Sequence, residues 1–137
     1  MMGMDLFFGP SVERGPRDNR IYLTFDDGPN ERATPAILST LAAYRVPAAF
    51  FMVGDHVRRF PGLARDVAAE GHLIGNHTYN HVKLTFVGPK KIRTEIQKAH
   101  AEIEGATGLS PRAFRAPHGY RTPFLISIIM DMRNGVR

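Results

Sequence analysis

The chain has 137 residues, 43% of them apolar and 23% charged, with 18 Lys/Arg against 13 Asp/Glu and a net charge of +5. That is ordinary globular composition, enough for one domain with a real core and short for a barrel enzyme. The absence of cysteine excludes disulfides and thiolate metal sites; the basic residues are spread along the chain, which argues against a nucleic-acid surface; and the apolar runs fall far short of a membrane span.

Residues 1–19, rich in Gly, Pro, Arg and Asp, read as an irregular lead-in, and residues 20–137 as the domain proper. The first nine residues lack a basic n-region, so no export signal is read there. Residues 20–25 are predicted as the first strand, β-branched and aromatic, delivering Asp26 and Asp27 ahead of a Gly28-Pro29 turn. Thr34 is expected to cap, and Pro35 to open, a helix to about residue 44 with Ile37, Leu38 and Leu41 as its apolar stripe. Residues 48–53 are nearly all apolar, as in a parallel strand covered on both faces, and Gly54 is expected to break it.

Residues 61–70 form a second predicted helix, closed by Gly71. A third strand over 72–76 leads directly into His77. A third helix over 89–105 places Ile92, Ile96, Ala99 and Ile103 on one face, residues 113–115 make a short fourth strand, and Thr122-Pro123 opens a last helix to about residue 132. A β-α pattern repeated four times predicts a parallel α/β sheet. Asp26/Asp27, His77/His81 and Arg115–His118 then fall just after strands one, three and four, at the carboxyl ends where such sheets carry their sites.

Two adjacent carboxylates at the end of an apolar strand repel each other and lose solvation unless a cation or a hydrogen-bonding partner compensates them. His77 and His81, at spacing i, i+4, would share one face if the segment formed a helical turn. One Asp with two His is a first shell for zinc or a similar divalent ion, leaving positions for water and substrate. A His-x-x-x-His pair alone also describes two surface histidines on a turn, and Asp27 alone could simply cap the backbone around Gly28-Pro29. Together the segments suggest a metal-dependent hydrolase in which one aspartate binds metal and the other accepts a proton from water. Arg115 is suited to hold a carboxylate by a forked hydrogen bond. His118 is a ligand, a proton donor or a lining residue whose backbone N–H matters. His56, His72 and His100 lack a partner pattern and read as structural or exposed. No glycine-rich phosphate loop and no Asp-x-Asp pair at residues 26–27 support a phosphate-handling enzyme.

Thr24-Phe25-Asp26-Asp27-Gly28-Pro29, His77-Thr78-Tyr79-Asn80-His81 and Arg115-Ala116-Pro117-His118-Gly119 together resemble three motifs of the polysaccharide deacetylases, the family-four carbohydrate esterases that include chitin, chitooligosaccharide and peptidoglycan N-deacetylases. The resemblance covers about residues 20–124. It implies a distorted (β/α) barrel, of which about four βα units are present, and hydrolysis of N-acetyl groups on a glycan containing N-acetylglucosamine. It further implies Asp26 as general base, Asp27, His77 and His81 as ligands of zinc (cobalt or another divalent ion in some members), and Arg115 as the tether of Asp26. Pro117, His118 and Gly119 would line the oxyanion site, with His118 standing where family members often carry tyrosine.

The family's later motifs, one with Asp and Trp and one with a Leu-x-His acid, have no counterpart: the chain has no Trp and no His after His118. The expectation is therefore a C-terminally truncated member, with an uncovered sheet edge open to self-association. An inert metal- or glycan-binding fragment and an amidohydrolase for a small non-sugar amide are the alternatives. The family's substrates imply work at the cell envelope or outside the cell.

Overall fold

The computed structural model describes residues 2–5, 9–12, 16–120 and 122–133. Its centre is a four-stranded, all-parallel sheet of β3 (Thr24–Asp26), β4 (Ala49–Met52), β5 (Leu73–Asn76) and β6 (Ala113–Phe114), side by side in chain order. An antiparallel pair, β1 (Met2–Asp5) and β2 (Gly9–Val12), precedes it, so part of the stretch expected to be irregular is a hairpin. The helices are α1 (Ala33–Tyr44), α2 (Gly54–Arg59), α3 (Pro61–Ala69), α4 (Pro89–Thr107) and α5 (Pro123–Arg133). No helix among the described residues is long and apolar enough to cross a membrane. The sheet is open, an α/β arrangement consistent with part of a distorted barrel.

The pattern of apolar residues explains the layers. On β4, Phe50, Phe51 and Met52 are all buried, as the continuous apolar run requires of a strand covered on both faces. One core joins Phe50, Met52 and Ile74 of the sheet to Leu38 and Leu41 of α1, Val57 of α2, Ala64 and Val67 of α3 and Ile103 of α4. A second joins Ile92 and Ile96 of α4 to Leu84 and to Leu125 and Ile128 of α5. The four residues placed on one face of α4 are all buried there, so that helix carries both cores. Pro61, Pro89 and Pro123 each open a helix, where the missing N–H costs nothing. Gly71, at φ +79°, follows the end of α3 as a left-handed glycine should.

Three local expectations are corrected and a fourth, at Gly54, is extended. The first strand begins at Thr24 rather than at residue 20; Ile21, Tyr22 and Leu23 lie exposed outside it, at the outer edge of the sheet. The cap of α1 is Asn30, whose Oδ1 accepts from the Arg32 and Ala33 amides at 2.9 and 3.0 Å. Thr34 instead turns its hydroxyl back to accept from the Asn30 amide at 2.8 Å, so the two residues cap reciprocally. β4 ends at Met52, ahead of Gly54 as expected, and Gly54 also begins α2. A Cβ at this position would lie 2.7 Å from Ala99 Cα, so glycine is there for close approach of α2 to α4. Finally, residues 77–81 are not a helical turn but an irregular loop, with Thr78 at φ +67° and His81 at φ +54°.

Candidate metal and hydrolytic site

All three segments singled out in the sequence meet at the carboxyl end of the sheet. β3 ends at Asp26, and Asp27 follows at φ +69°, which turns its side chain away from the strand line. The backbone is fixed on both sides of that turn: the Val53 amide donates to Gly28 O at 2.9 Å, and His56 Nδ1 lies 2.6 Å from Asp27 O. A carbonyl oxygen only accepts, so His56 Nδ1 carries the proton. His56, which has no partner pattern in the sequence, thus braces the aspartate from 29 residues away.

His77 leaves β5 with its amide bonded to Met52 O at 2.9 Å and is almost wholly buried. Its Nδ1 lies 2.7 Å from Arg115 O, again an acceptor only, so Nδ1 carries a proton and Nε2 is the nitrogen whose lone pair a neutral ring offers. That Nε2 faces Asp27 Oδ1 at 3.3 Å, and His81 Nε2 faces the same oxygen at 3.0 Å. The ligand atoms of Asp27, His77 and His81 all lie within 4.8 Å of one another, although the two histidines lie on a loop and share no helix face. A neutral His77 ring opposes lone pair to lone pair across 3.3 Å, an arrangement that a shared cation relieves. Two imidazole nitrogens and one carboxylate oxygen, converging on one point with Asp27 exposed to solvent, suit zinc or a comparable divalent ion with positions left over. The residues fit the group.

Asp26 is oriented separately. Arg115 Nη1 donates to Asp26 Oδ1 at 2.7 Å and to Thr24 Oγ1 at 2.9 Å. One nitrogen serves both acceptors, so the contact is not the forked pair expected; the second bond goes to the hydroxyl two residues earlier on the same strand. The guanidinium also stacks on Phe51, 4.0 Å from the ring centroid, while the Arg115 amide donates to Asn76 O at 3.0 Å. Arg115 therefore links β3, β4 and β5 through one side chain and one amide. Thr24 and Phe51 are partners that the sequence did not single out, and only the parallel register brings them here.

Pro117, His118 and Gly119 form a short 3-10 turn beyond β6, with Pro117 buried and the other two exposed. His118 sits at φ +58°, its ring edge-on to His81 with centroids 4.7 Å apart. The Gly119 and Tyr120 amides are used within the turn, bonded to Ala116 O and Pro117 O at 3.1 and 3.2 Å. A cavity of about 300 Å³ lies behind Asp26 and Asp27, lined by Phe25, Pro29, Phe50 and Met52 and reached by His56.

An open parallel α/β sheet thus carries a two-histidine, one-aspartate cluster with a second, arginine-held aspartate beside it, a candidate metal-assisted hydrolytic site. The polysaccharide deacetylase profile matches residues 13–132, and this chain belongs to that family. It is 50% identical over 97 residues to a chitooligosaccharide deacetylase of Rhizobium leguminosarum bv. trifolii, covering 71% of this chain and 45% of the relative. It is 40% identical over 99 residues to a peptidoglycan-N-acetylglucosamine deacetylase of Bacillus cereus, covering 72% and 36%. The chain thus spans less than half the length of either relative. Among solved structures, a CE4 family pseudoenzyme from Bacillus anthracis superposes with a TM-score of 0.81 at 28% identity, covering 87% of this chain and 42% of that one.

Proposed function

We propose that this chain carries the metal-binding and proton-accepting half of an N-deacetylase acting on glycans that contain N-acetylglucosamine, of chitin or peptidoglycan type. The observation that carries the reading is the convergence of Asp27, His77 and His81 within 4.8 Å, with Asp26 held beside them by Arg115 at 2.7 Å. Asp27, His77 and His81 would hold a divalent ion, zinc by preference for this donor set and cobalt as a substitute, which when bound would supply Lewis-acid polarisation of water and of the acetamide carbonyl. Asp26 is the general base: it takes a proton from the attacking water as the oxygen adds to the carbonyl carbon. Arg115 keeps that carboxylate aimed through its 2.7 Å hydrogen bond to Oδ1. The charge that develops on the carbonyl oxygen is met by the backbone N–H of His118, in a turn whose next two amides are already used and whose rim is Pro117 and Gly119. Cleavage of the C–N bond, with the proton that Asp26 took from water passed to the leaving nitrogen, gives acetate and a free amine. Substrates of this kind place the work at the cell envelope or outside the cell.

The experiment is acetate release from chitooligosaccharides and from peptidoglycan by zinc-loaded protein, beside an Asp26→Asn variant and a metal-stripped sample. Release that disappears in both controls supports the reading. One observation favours a second reading, metal or glycan binding without turnover: a chain of the same fold is a pseudoenzyme. Stoichiometric zinc with no acetate release from either glycan would decide for it.

A further inference from the structure

The loop that carries both histidines is held in an unfavourable shape, and the group that holds it belongs to neither histidine. Thr78 is β-branched and sits at φ +67°, and His81 sits at φ +54°. A β-branched residue in the left-handed region is a true outlier and persists only where its surroundings over-determine it. The carbonyls of Thr78 and Tyr79 accept from the Gly54 and Asp55 amides, at the start of α2, at 2.9 and 3.0 Å. The amides on the other side go to one carboxylate: Tyr79 N and Asn80 N donate to Glu95 Oε2 at 3.1 and 2.7 Å, and Asn80 Nδ2 donates to Glu95 Oε1 at 2.9 Å. Lys91 Nζ completes Oε1 at 2.9 Å. Glu95 itself is 1% exposed, on the face of α4 that carries the core.

A buried carboxylate is costly unless its oxygens are filled, and here four donors fill them. Three of the four come from the two residues immediately before His81. Asn76 adds a second grip, accepting from the Thr78 amide at 2.9 Å and donating to Ile96 O, next to Glu95, at 2.9 Å.

We propose that Glu95 is a positioning residue for the metal site: its carboxylate fixes the residue 77–81 loop and so sets the separation of the two imidazoles that face Asp27. The inference rests on the metal-site reading above. Glutamine is a near-isosteric test. Its single carbonyl oxygen can take the two backbone amides, but its NH2 group then faces the Asn80 and Lys91 donors, so the clamp cannot close.

Zinc affinity is measured by calorimetry for wild type, Glu95→Gln and Ile103→Val. Ile103 is buried on the same helix but lies outside the loop contacts, so this variant controls for general destabilisation. Amide exchange at Tyr79 and Asn80 is followed in metal-free protein. Glu95→Gln is expected to weaken zinc binding by about 10- to 100-fold, the range for residues that orient ligands, and to speed exchange at both amides, while Ile103→Val binds zinc as wild type does. Unchanged zinc affinity in Glu95→Gln, or an equal loss in Ile103→Val, overturns the proposal. Wild type that binds no zinc overturns the metal reading and the positioning role with it; the exchange data then still show whether Glu95 holds the loop.

Discussion

Gly75 couples the packing of the sheet to the orientation of Asp26, and Gly75→Ala tests that coupling. Gly75 pairs with Phe51 across β4 and β5, and the Phe51 ring lies over the glycine. A Cβ added at residue 75 would meet Phe51 Cδ1 and lie 2.6 Å from Phe51 Cε1. Unstrained carbon contacts need about 3.5–4.0 Å, so the ring would have to retreat by about 1 Å. Phe51 is buried among β4 neighbours, and any displacement of its ring alters the stack with Arg115, whose Cζ lies 4.0 Å from the centroid. Overpacking of this kind costs about 1–3 kcal/mol, against which alanine recovers about 0.4–1 kcal/mol through the less flexible unfolded chain. A net loss of about 1–2 kcal/mol leaves the domain folded if its stability is in the usual range of about 5–15 kcal/mol. Urea unfolding should show a lower midpoint at unchanged m-value, and the zinc-loaded variant should deacetylate more slowly with zinc affinity retained, because the Arg115 guanidinium that stacks on Phe51 bonds Asp26 and Thr24 and none of the three ligands. Wild-type stability in Gly75→Ala would refute the packing argument. A stability loss with unaltered turnover would refute the coupling to Arg115.

Arg115→Ala should separate stability from chemistry. Its ion pair with Asp26 is more than a third exposed on both sides, so losing it costs about 1 kcal/mol or less in unfolding, while mis-aimed Asp26 lowers acetate release by about a hundredfold or more; equal modest effects on both would contradict the assignment. Glu95 supplies a pH signature. Burial alone would raise its pKa, but the Asn80 side-chain and backbone hydrogen bonds and then Lys91 together outweigh burial and hold it below the ordinary glutamate range. A depressed acid stabilises the fold fully above its unfolded pKa, near 4.5, and loses that contribution as pH falls through the lower folded value. Unfolding followed from about pH 5 downward should therefore show an acid-side loss of stability that is shallower in Glu95→Gln; identical acid limbs would contradict it.

Much of the fold was legible because local signals and tertiary demands agreed. The apolar run of β4, the helical spacing of Ile92, Ile96, Ala99 and Ile103, and the prolines at residues 61, 89 and 123 each identified an element that the fold then buried or capped. Some signals were incomplete because a residue serves contacts distant in sequence, and one because a neighbouring residue caps in its place. The strand does stop before Gly54 as expected, but that glycine also admits Ala99 of α4, which no local signal shows. Thr34-Pro35 matched a cap signal that Asn30 meets instead, from four residues earlier. The expectation that His77 and His81 share a helix face fell because β5 and the start of α2 dictate the loop's shape, with Thr78 and His81 left-handed. The two histidines still converge, from different backbone geometry. Glu95 and His56 were invisible in the sequence for a physical reason: His56 reaches the site through a backbone carbonyl, and Glu95 through two backbone amides besides the Asn80 side chain, and backbone groups carry no residue-type signal.

The central claim is that Asp27, His77 and His81 form one metal site. It is tested most directly by zinc titration of metal-free protein, comparing wild type with Asp27→Ala, His77→Ala and His118→Ala, and checking each variant's fold by circular dichroism. The account predicts one zinc per wild-type chain, an affinity loss of more than about a hundredfold in either ligand variant, larger than is usual for residues that only orient ligands, and near-wild-type affinity in His118→Ala. A folded Asp27→Ala or His77→Ala protein that binds zinc as tightly as wild type would contradict it.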